Sequence, residues 1–230
     1  MTVAAVILAA NPDSALADAD GLPRVRREAD AAWAGGATPI VVVVADPDGA
    51  VALALAGSVA VLAEPAPAEA GPAGQIARGL EVAVKLVRET EAALVWPARM
   101  AWVDPETVTS LVEAHGADRA ALLRPAYAGE PGWPAVVPLP YLDLLRAFGA
   151  ERMPGEIMDD LVATGAVSAT IEVGDPGAVV DGGVARSSLP DYQGPPEPPA
   201  GHTHEWGAAV ADLPEDAGAP PRRVPYEELG

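Results

Sequence analysis

Two uninterrupted apolar runs constrain this chain more than any other feature. Residues 3–10 (VAAVILAA) and 39–45 (PIVVVVA) carry no charge and no polar alternation. A strand with one wet face alternates with period two, so a run apolar on both faces belongs inside a sheet covered on both sides. The β-branched valines and isoleucines favour the pleated backbone. Between the runs, residues 24–34 read as a helix with Val25, Ala29, Ala32 and Trp33 on its apolar side, stopped by Gly35 and Gly36. Further strands are predicted over 59–62, 93–96, 120–124, 135–138 and 168–173. Further helices are predicted over 51–55, 75–88, 105–114, 139–148 and 155–164, the third opened by Asp104 as N-cap and Pro105 as first residue. Residues 64–71 (EPAPAEAG) read as a loop. Strands alternating with helices imply an α/β domain with a mostly parallel sheet and helices on both faces. The ligand crevice of such a domain lies at the carboxyl ends of its strands.

At 230 residues the chain can bury a full domain core. Its 33 acidic against 14 basic side chains, a formal charge of −19, exclude nucleic acid and anionic membrane surfaces as partners, since both require a basic footprint. The absence of cysteine excludes disulfides, thiolate metal sites and a thiol nucleophile. No cation precedes Arg24, so the apolar start lacks the n-region of a signal peptide. The first run is also shorter than the roughly 20 residues of a membrane span. A cytoplasmic location is expected. From residue 189 the composition turns to proline, glycine and acid without apolar periodicity. Residues 194–230 are therefore expected to form an irregular extension of a domain spanning 1–193, disordered or held by another surface.

Six local patterns, in order, resemble one family, the MobA-like nucleotidyltransferases, which include molybdopterin guanylyl- and cytidylyltransferases. VAAVILAA is similar to the family's first strand, and GLPRVRREADAAWAGGATPIVVVVADPD to its first helix, glycine turn and second strand. GPAGQIARGLEVAV resembles the segment that approaches the nucleotide base, which places Gln75 there. ALVWPARMAWVDPETVTSLVEA resembles the strand, metal-binding turn and helix. AGEPGWPAVVP resembles the family's G-H-P element, with Trp133 near its histidine, and GDPGAVVDGGVARSSLPDY resembles the closing motif. The likeness covers about residues 1–193. It implies a Rossmann-like, nucleotide-diphospho-sugar-transferase-like fold. It also implies transfer of a nucleoside monophosphate to an acceptor, with Mg²⁺ holding the triphosphate against a glycine-rich, cationic loop.

The residues that would perform this transfer have changed. The family's loop, L-A-A-G-x-S-x-R-M-G-x-P-K, stands here as LAANPDSALADADGLP. Asn11 replaces the first glycine, Pro12 removes a backbone donor, and Asp13, Asp18 and Asp20 bring negative charge where phosphates would sit. The resemblance aligns Arg99 with the metal-binding aspartate. At an effective dielectric of ~20, a unit charge pair at ~4 Å is worth about 4 kcal/mol, and a divalent ion would feel roughly twice that as repulsion. Asp181 survives in the closing motif, followed by an apparent insertion around 184–188. The chain is thus expected to be a degenerate member acting as a non-catalytic binding or accessory subunit, with no cofactor. The alternative is an active transferase that moves NMP from CTP or GTP to a molybdopterin-type acceptor, its Mg²⁺ held by Asp181 and Asp104. A second alternative is an anion or nucleotide sensor built on Arg99, whose planar fork suits phosphate and carboxylate. The competing reading of Arg99 is an ion-paired residue at a strand end.

Other residues divide between structure and recognition. His202 and His204, with Glu205, have an i, i+2 spacing that could supply two metal ligands, although chance placement in a polar tail explains them as well. His115, before Gly116, suits a helix end where a cation meets the macrodipole. Trp96, Trp102 and Trp133 fall around the crevice motifs, as core or as an aromatic face for a base or a partner. Trp206 and Tyr226 could anchor the tail to a protein surface, so a protein partner or a second copy is expected through the tail. No P-loop, dinucleotide fingerprint or nucleophile triad is legible.

Overall fold

The computed structural model describes residues 2–194 and 223–224. The first apolar run forms β1 (Thr2–Leu8) and the second β4 (Ile40–Val43), with every β4 side chain buried. They pair in parallel, Ala5 opposite Ile40 and Leu8 opposite Val43. On its other side β1 pairs in parallel with β6 (Thr90–Pro97), Ala5 opposite Leu94. Burial on both faces is thus what the charge-free runs encode. β5 (Val61–Ala63) extends the sheet beyond β4. Beyond β6 lie β9 (Ala135–Pro138), antiparallel, then β7 (Leu122–Tyr127) and β10 (Ser168–Glu172), parallel to each other. The spatial order is β10-β7-β9-β6-β1-β4-β5-β11, and β8 (Glu130–Pro131) pairs with β7. β11 (Arg223–Val224) pairs in parallel with β5, so part of the expected irregular extension is a strand of the domain's own sheet.

Helices cover the sheet in two groups. α2 (Arg24–Ala34) packs with α5 (Pro105–Ala117), and α4 (Gly71–Leu86) with α6 (Leu142–Ala147) and α7 (Pro154–Ala163). α4 lies close on β1 and β4 because residue 79 has no side chain. A Cβ on Gly79 would collide with Val6 and come within 3.2 Å of Val43 Cγ2. The apolar face of α2 differs from the reading above. Val25, Glu28, Ala29 and Ala32 are buried, the i, i+3, i+4, i+7 stripe of a helix, while Trp33 lies off that stripe and is exposed.

Two tight hairpins were not read from the sequence. Asp20 and Gly21 both have positive φ and join β2 (Asp18–Ala19) to β3 (Leu22–Pro23). Ala128 and Gly129 do the same between β7 and β8, held by Glu172, which accepts their N–H groups at 2.8 and 3.3 Å. Two positive φ values are the signature of the two-residue turn whose twist matches that of its strands, and Asp-Gly is a preferred pair for it. The helix expected over 139–148 is a 3-10 turn at Leu139–Tyr141 followed by α6.

Candidate active-site crevice

At the carboxyl end of β1, the segment that should be an open phosphate loop is folded on itself. Asn11 caps a one-turn helix, α1 (Pro12–Leu16), its Oδ1 accepting the Ser14 N–H at 2.8 Å, with Pro12 as first helical residue. The hairpin follows, Asp18 Oδ1 accepting the Gly21 N–H at 3.2 Å. Ala15 donates to Asn11 O and Arg24 to Ala17 O. The N–H groups of Ser14, Ala15, Gly21 and Arg24 are therefore engaged within the segment and do not converge on a ligand. The changes at residues 11 and 12 are those of a helix start, which explains the residues that departed from the loop pattern.

The second corner lies at the carboxyl end of β6. Residues 99–104 lead from β6 into α5, and residues 181–186 run alongside them, three side-chain contacts each joining residues 82 apart. Arg99 Nη1 meets Asp181 Oδ2 at 3.4 Å. Gly182 donates its N–H to Arg99 O at 2.6 Å, Trp102 Nε1 donates to Val184 O at 2.9 Å, and Arg186 meets Asp104 at 3.0 Å. The apparent insertion at 184–188 is thus an integral line of contact along the turn. Ala19 of the hairpin, Ala101 and Trp102 form a small apolar cluster, with Val180 and Leu189 packed against it. This cluster ties the two corners together.

Asp175 organises the second corner and was not singled out in the sequence. Its side chain is fully buried and accepts from the Asp104 N–H at 2.9 Å, Thr107 Oγ1 at 2.7 Å and the Gly177 N–H at 2.8 Å. It caps α5 from 71 residues away, in place of Asp104, whose own side chain makes no capping bond. Burial pushes the Asp175 carboxyl up to about 6, against the opposing pull of its hydrogen bonds. Tyr192 lies near the acids Glu106, Asp175 and Asp104. Its hydroxyl is buried without a hydrogen-bond partner, and burial followed by those charges pushes it up to about 12.

Four arginines of this acidic chain, Arg24, Arg27, Arg99 and Arg186, gather here. Arg27 and Arg186 lie over the Trp102 ring at 5.1 and 5.9 Å from its centroid. Arg27 also donates to Ala19 O at 3.2 Å and faces Asp20 at 3.8 Å. Arg24 reaches the closing segment: a Cβ on Gly182 would lie 3.2 Å from its Nε, a buried atom without a hydrogen-bond partner. One helical turn along, Glu28 is fully buried with both oxygens unpartnered. Burial holds its carboxyl well above its ordinary range despite the nearby Arg24 charge.

The residues named from sequence fare unequally. Arg99 and Asp181 are brought together, both solvent-accessible. Asp104 is paired with Arg186 and not with Asp181 in the bonds observed. The donor set is thus two carboxylates, each already facing a guanidinium, and among the described residues no three acidic, histidine or cysteine groups come together as a metal site. That chemistry does not fit Mg²⁺, which needs carboxylate oxygen at close range without competing cations. The Gln75 amide is engaged with the Ala66 backbone, accepting its N–H at 2.8 Å and donating to its C=O at 2.9 Å, so it pins the 64–71 loop. Trp133 is buried, with Arg124 over its ring at 5.4 Å and its N–H on Ala178 O. Trp96 is core, its Nε1 donating to Met100 O. His115 lies in the last turn of α5, as read, but its ring is fully buried without hydrogen bonds, and burial lowers its pKa, which works against a cationic role there. His202, His204, Trp206 and Tyr226 lie outside the described residues. Among the described residues no helix is long and apolar enough to cross a membrane.

Comparison with known proteins agrees with this geometry at the level of fold. Rv0371c from Mycobacterium tuberculosis H37Rv, solved in complex with manganese, is 17% identical, with 78% of this chain and 94% of that chain covered at a TM-score of 0.56. A CMP:2-keto-3-deoxy-manno-octonic acid synthetase complexed with CTP is 15% identical, covering 92% and 100% at 0.54. The 2-C-methyl-D-erythritol 4-phosphate cytidylyltransferase from Thermus thermophilus is 20% identical, covering 77% and 91% at 0.52. No curated protein sequence matches the chain. The profile of the MobA-like NTP transferase domain matches residues 6–164, which ends before the closing segment at 176–189. With most of its length matched by that profile, the chain belongs to the MobA-like NTP transferase domain family.

Proposed function

We propose that this domain has kept the nucleotidyltransferase fold without nucleotidyl transfer, and serves as a non-catalytic binding or accessory subunit. One observation carries the reading: both carboxylates that could hold a metal, Asp181 and Asp104, face arginines at 3.4 and 3.0 Å. A divalent ion entering there would have to displace a guanidinium from each and would meet its repulsion. The internally bonded α1 and hairpin act in the same direction, since they leave no open nest of N–H groups for a triphosphate. The test is pyrophosphate release from CTP and from GTP, with Mg²⁺ or Mn²⁺ and a molybdopterin-type acceptor. No release above the no-enzyme rate is expected. Turnover that vanishes in Asp181→Asn and Asp104→Asn would instead establish the active transferase.

A second reading is favoured by Arg27 and Arg186 over Trp102 together with Arg24 and Arg99 at the Asp181–Gly182 turn. In a chain of net charge −19 such a cluster suits an anion bound without metal. A thermal-shift screen of nucleotides and phosphorylated metabolites without Mg²⁺ separates the two. A stabilising ligand weakened by Arg99→Ala makes the domain a sensor; recovery of a stoichiometric protein partner with no such ligand makes it an accessory subunit.

A further inference from the structure

The outer edge of β5 would present unpaired N–H and C=O groups to solvent, and its occupant comes from the far end of the chain. Arg223 pairs with Leu62 and Val224 with Ala63, in parallel. The sequence around this pair is P-P-R-R-V-P, so Pro221 and Pro225, which cannot donate to a ladder, bound the strand on both sides. A residue before proline is also biased towards extended backbone, so Val224 loses little freedom on pairing. Residues 194–230 contain seven acidic side chains and two basic ones, and the two are Arg222 and Arg223. The domain over 1–193 carries 26 acidic and 12 basic side chains, so this dipeptide is the part of the extension whose charge complements the domain.

The tether is suited to the distance. Gln193 donates its N–H to Gly174 O at 2.8 Å, which fixes the end of the domain beside β10, at the opposite edge of the sheet. Seven strand spacings of ~4.8 Å put the two edges about 34 Å apart. Twenty-eight residues separate Gly194 from Arg223, a contour length of roughly 90 Å at most, which exceeds that distance. A strand tethered to its own sheet binds intramolecularly, at an effective concentration on the order of millimolar.

We propose that the outer edge of β5 is a strand-docking site and that Arg223–Val224 of the same chain is its resident occupant, a strap that covers the edge in cis against pairing with other chains. An uncovered edge is a template for pairing with other chains, and a short tethered strand blocks that pairing. The test is hydrogen exchange on the full chain, read in peptides covering residues 60–65, in wild type, Val224→Pro and Val224→Ala. Exchange at β5 is expected to accelerate about tenfold in Val224→Pro, which loses its N–H, and to change little in Val224→Ala, with β1 unaffected. A synthetic peptide of residues 219–227, added at millimolar concentration to Val224→Pro, is expected to restore protection. Equal exchange in wild type and Val224→Pro, or no rescue by the peptide, overturns the proposal. Wild-type protection that falls on hundredfold dilution also overturns it, because the strand would then come from a second copy.

Discussion

The two corners of the crevice are built on different length scales. At the end of β1, the bonds that shape α1 and the hairpin join residues three or four apart: Ser14 to Asn11, Ala15 to Asn11, Gly21 to Asp18. At the end of β6, the contacts of Arg99, Trp102 and Asp104 join residues 82 apart, and Asp175 caps α5 across 71. A local corner forms wherever its few residues are present. A long-range corner exists only after the sheet has brought β6 and the segment after β10 together. The shape of the first corner is therefore readable from neighbouring residues, whereas that of the second is set by tertiary contacts.

The largest effect that tests this contrast is expected at Asp175. Asp175→Ala leaves the Asp104 N–H, Thr107 hydroxyl and Gly177 N–H without their acceptor and is expected to cost about 3 kcal/mol. The loss should extend to hydrogen exchange over both 99–107 and 176–186. Because burial raises the folded-state pKa from 3.8 to about 6, the folded protein holds this proton more tightly than the unfolded chain. Its linked stability is greatest below about pH 4 and declines as pH rises to about 6. A series of melting temperatures from pH 4 to 7 should show a shallower decline in Asp175→Asn than in wild type, the remainder belonging to Glu28. A decline missing from wild type, or equally steep in both proteins, would assign the pH dependence to groups other than Asp175.

Glu28, beneath the local corner, is expected to act with the opposite sign. A buried carboxyl with no hydrogen-bond partner is a destabilising feature, so Glu28→Met should raise stability by about 1–2 kcal/mol at pH 7. Its folded pKa lies above the ordinary 4.5, so ionisation of the unfolded chain erodes wild-type stability as pH rises from there. The gain from the methionine should accordingly widen from pH 4.5 upward in denaturant titrations. A gain that stays constant with pH would show that packing, not the proton, is responsible.

The smallest effect belongs to the cap. Asn11→Ala is expected to cost about 1 kcal/mol or less, and Asn11→Gly only a few tenths, in the same denaturant titrations. The change should add to that of Asp175→Ala, since the two share no bonded partner. Strong non-additivity in the double variant would show that the corners are coupled through the Ala19–Trp102 cluster more tightly than separate length scales allow.

Much of the architecture was legible because it follows from periodicity. The charge-free runs placed β1 and β4 and required cover on both faces. The Asp104–Pro105 step marked the start of α5, although its cap proved to be Asp175. Glu28 escaped notice because a glutamate on a helix is ordinarily assigned to water; only the stripe shared with Val25, Ala29 and Ala32 points inward. Gln75 was read as facing a ligand, yet a side chain with one donor and one acceptor is also the natural partner of a loop's own backbone, here Ala66. Asp20-Gly21 carries local turn chemistry and was recoverable from sequence, whereas Ala128-Gly129 places an alanine in the left-handed region and is held by the distant Glu172.

Sequence alone determined the buried parallel sheet and the family likeness. These depend on the order and type of neighbouring residues, which short-range sterics and burial read directly. Tertiary structure alone decided that Arg99 faces Asp181, that Arg186 faces Asp104, and that Arg223–Val224 returns to the edge of β5. Ionic pairing and strand pairing depend on separation in space, and residues 82 or about 160 apart in the chain acquire a separation only when the sheet is assembled.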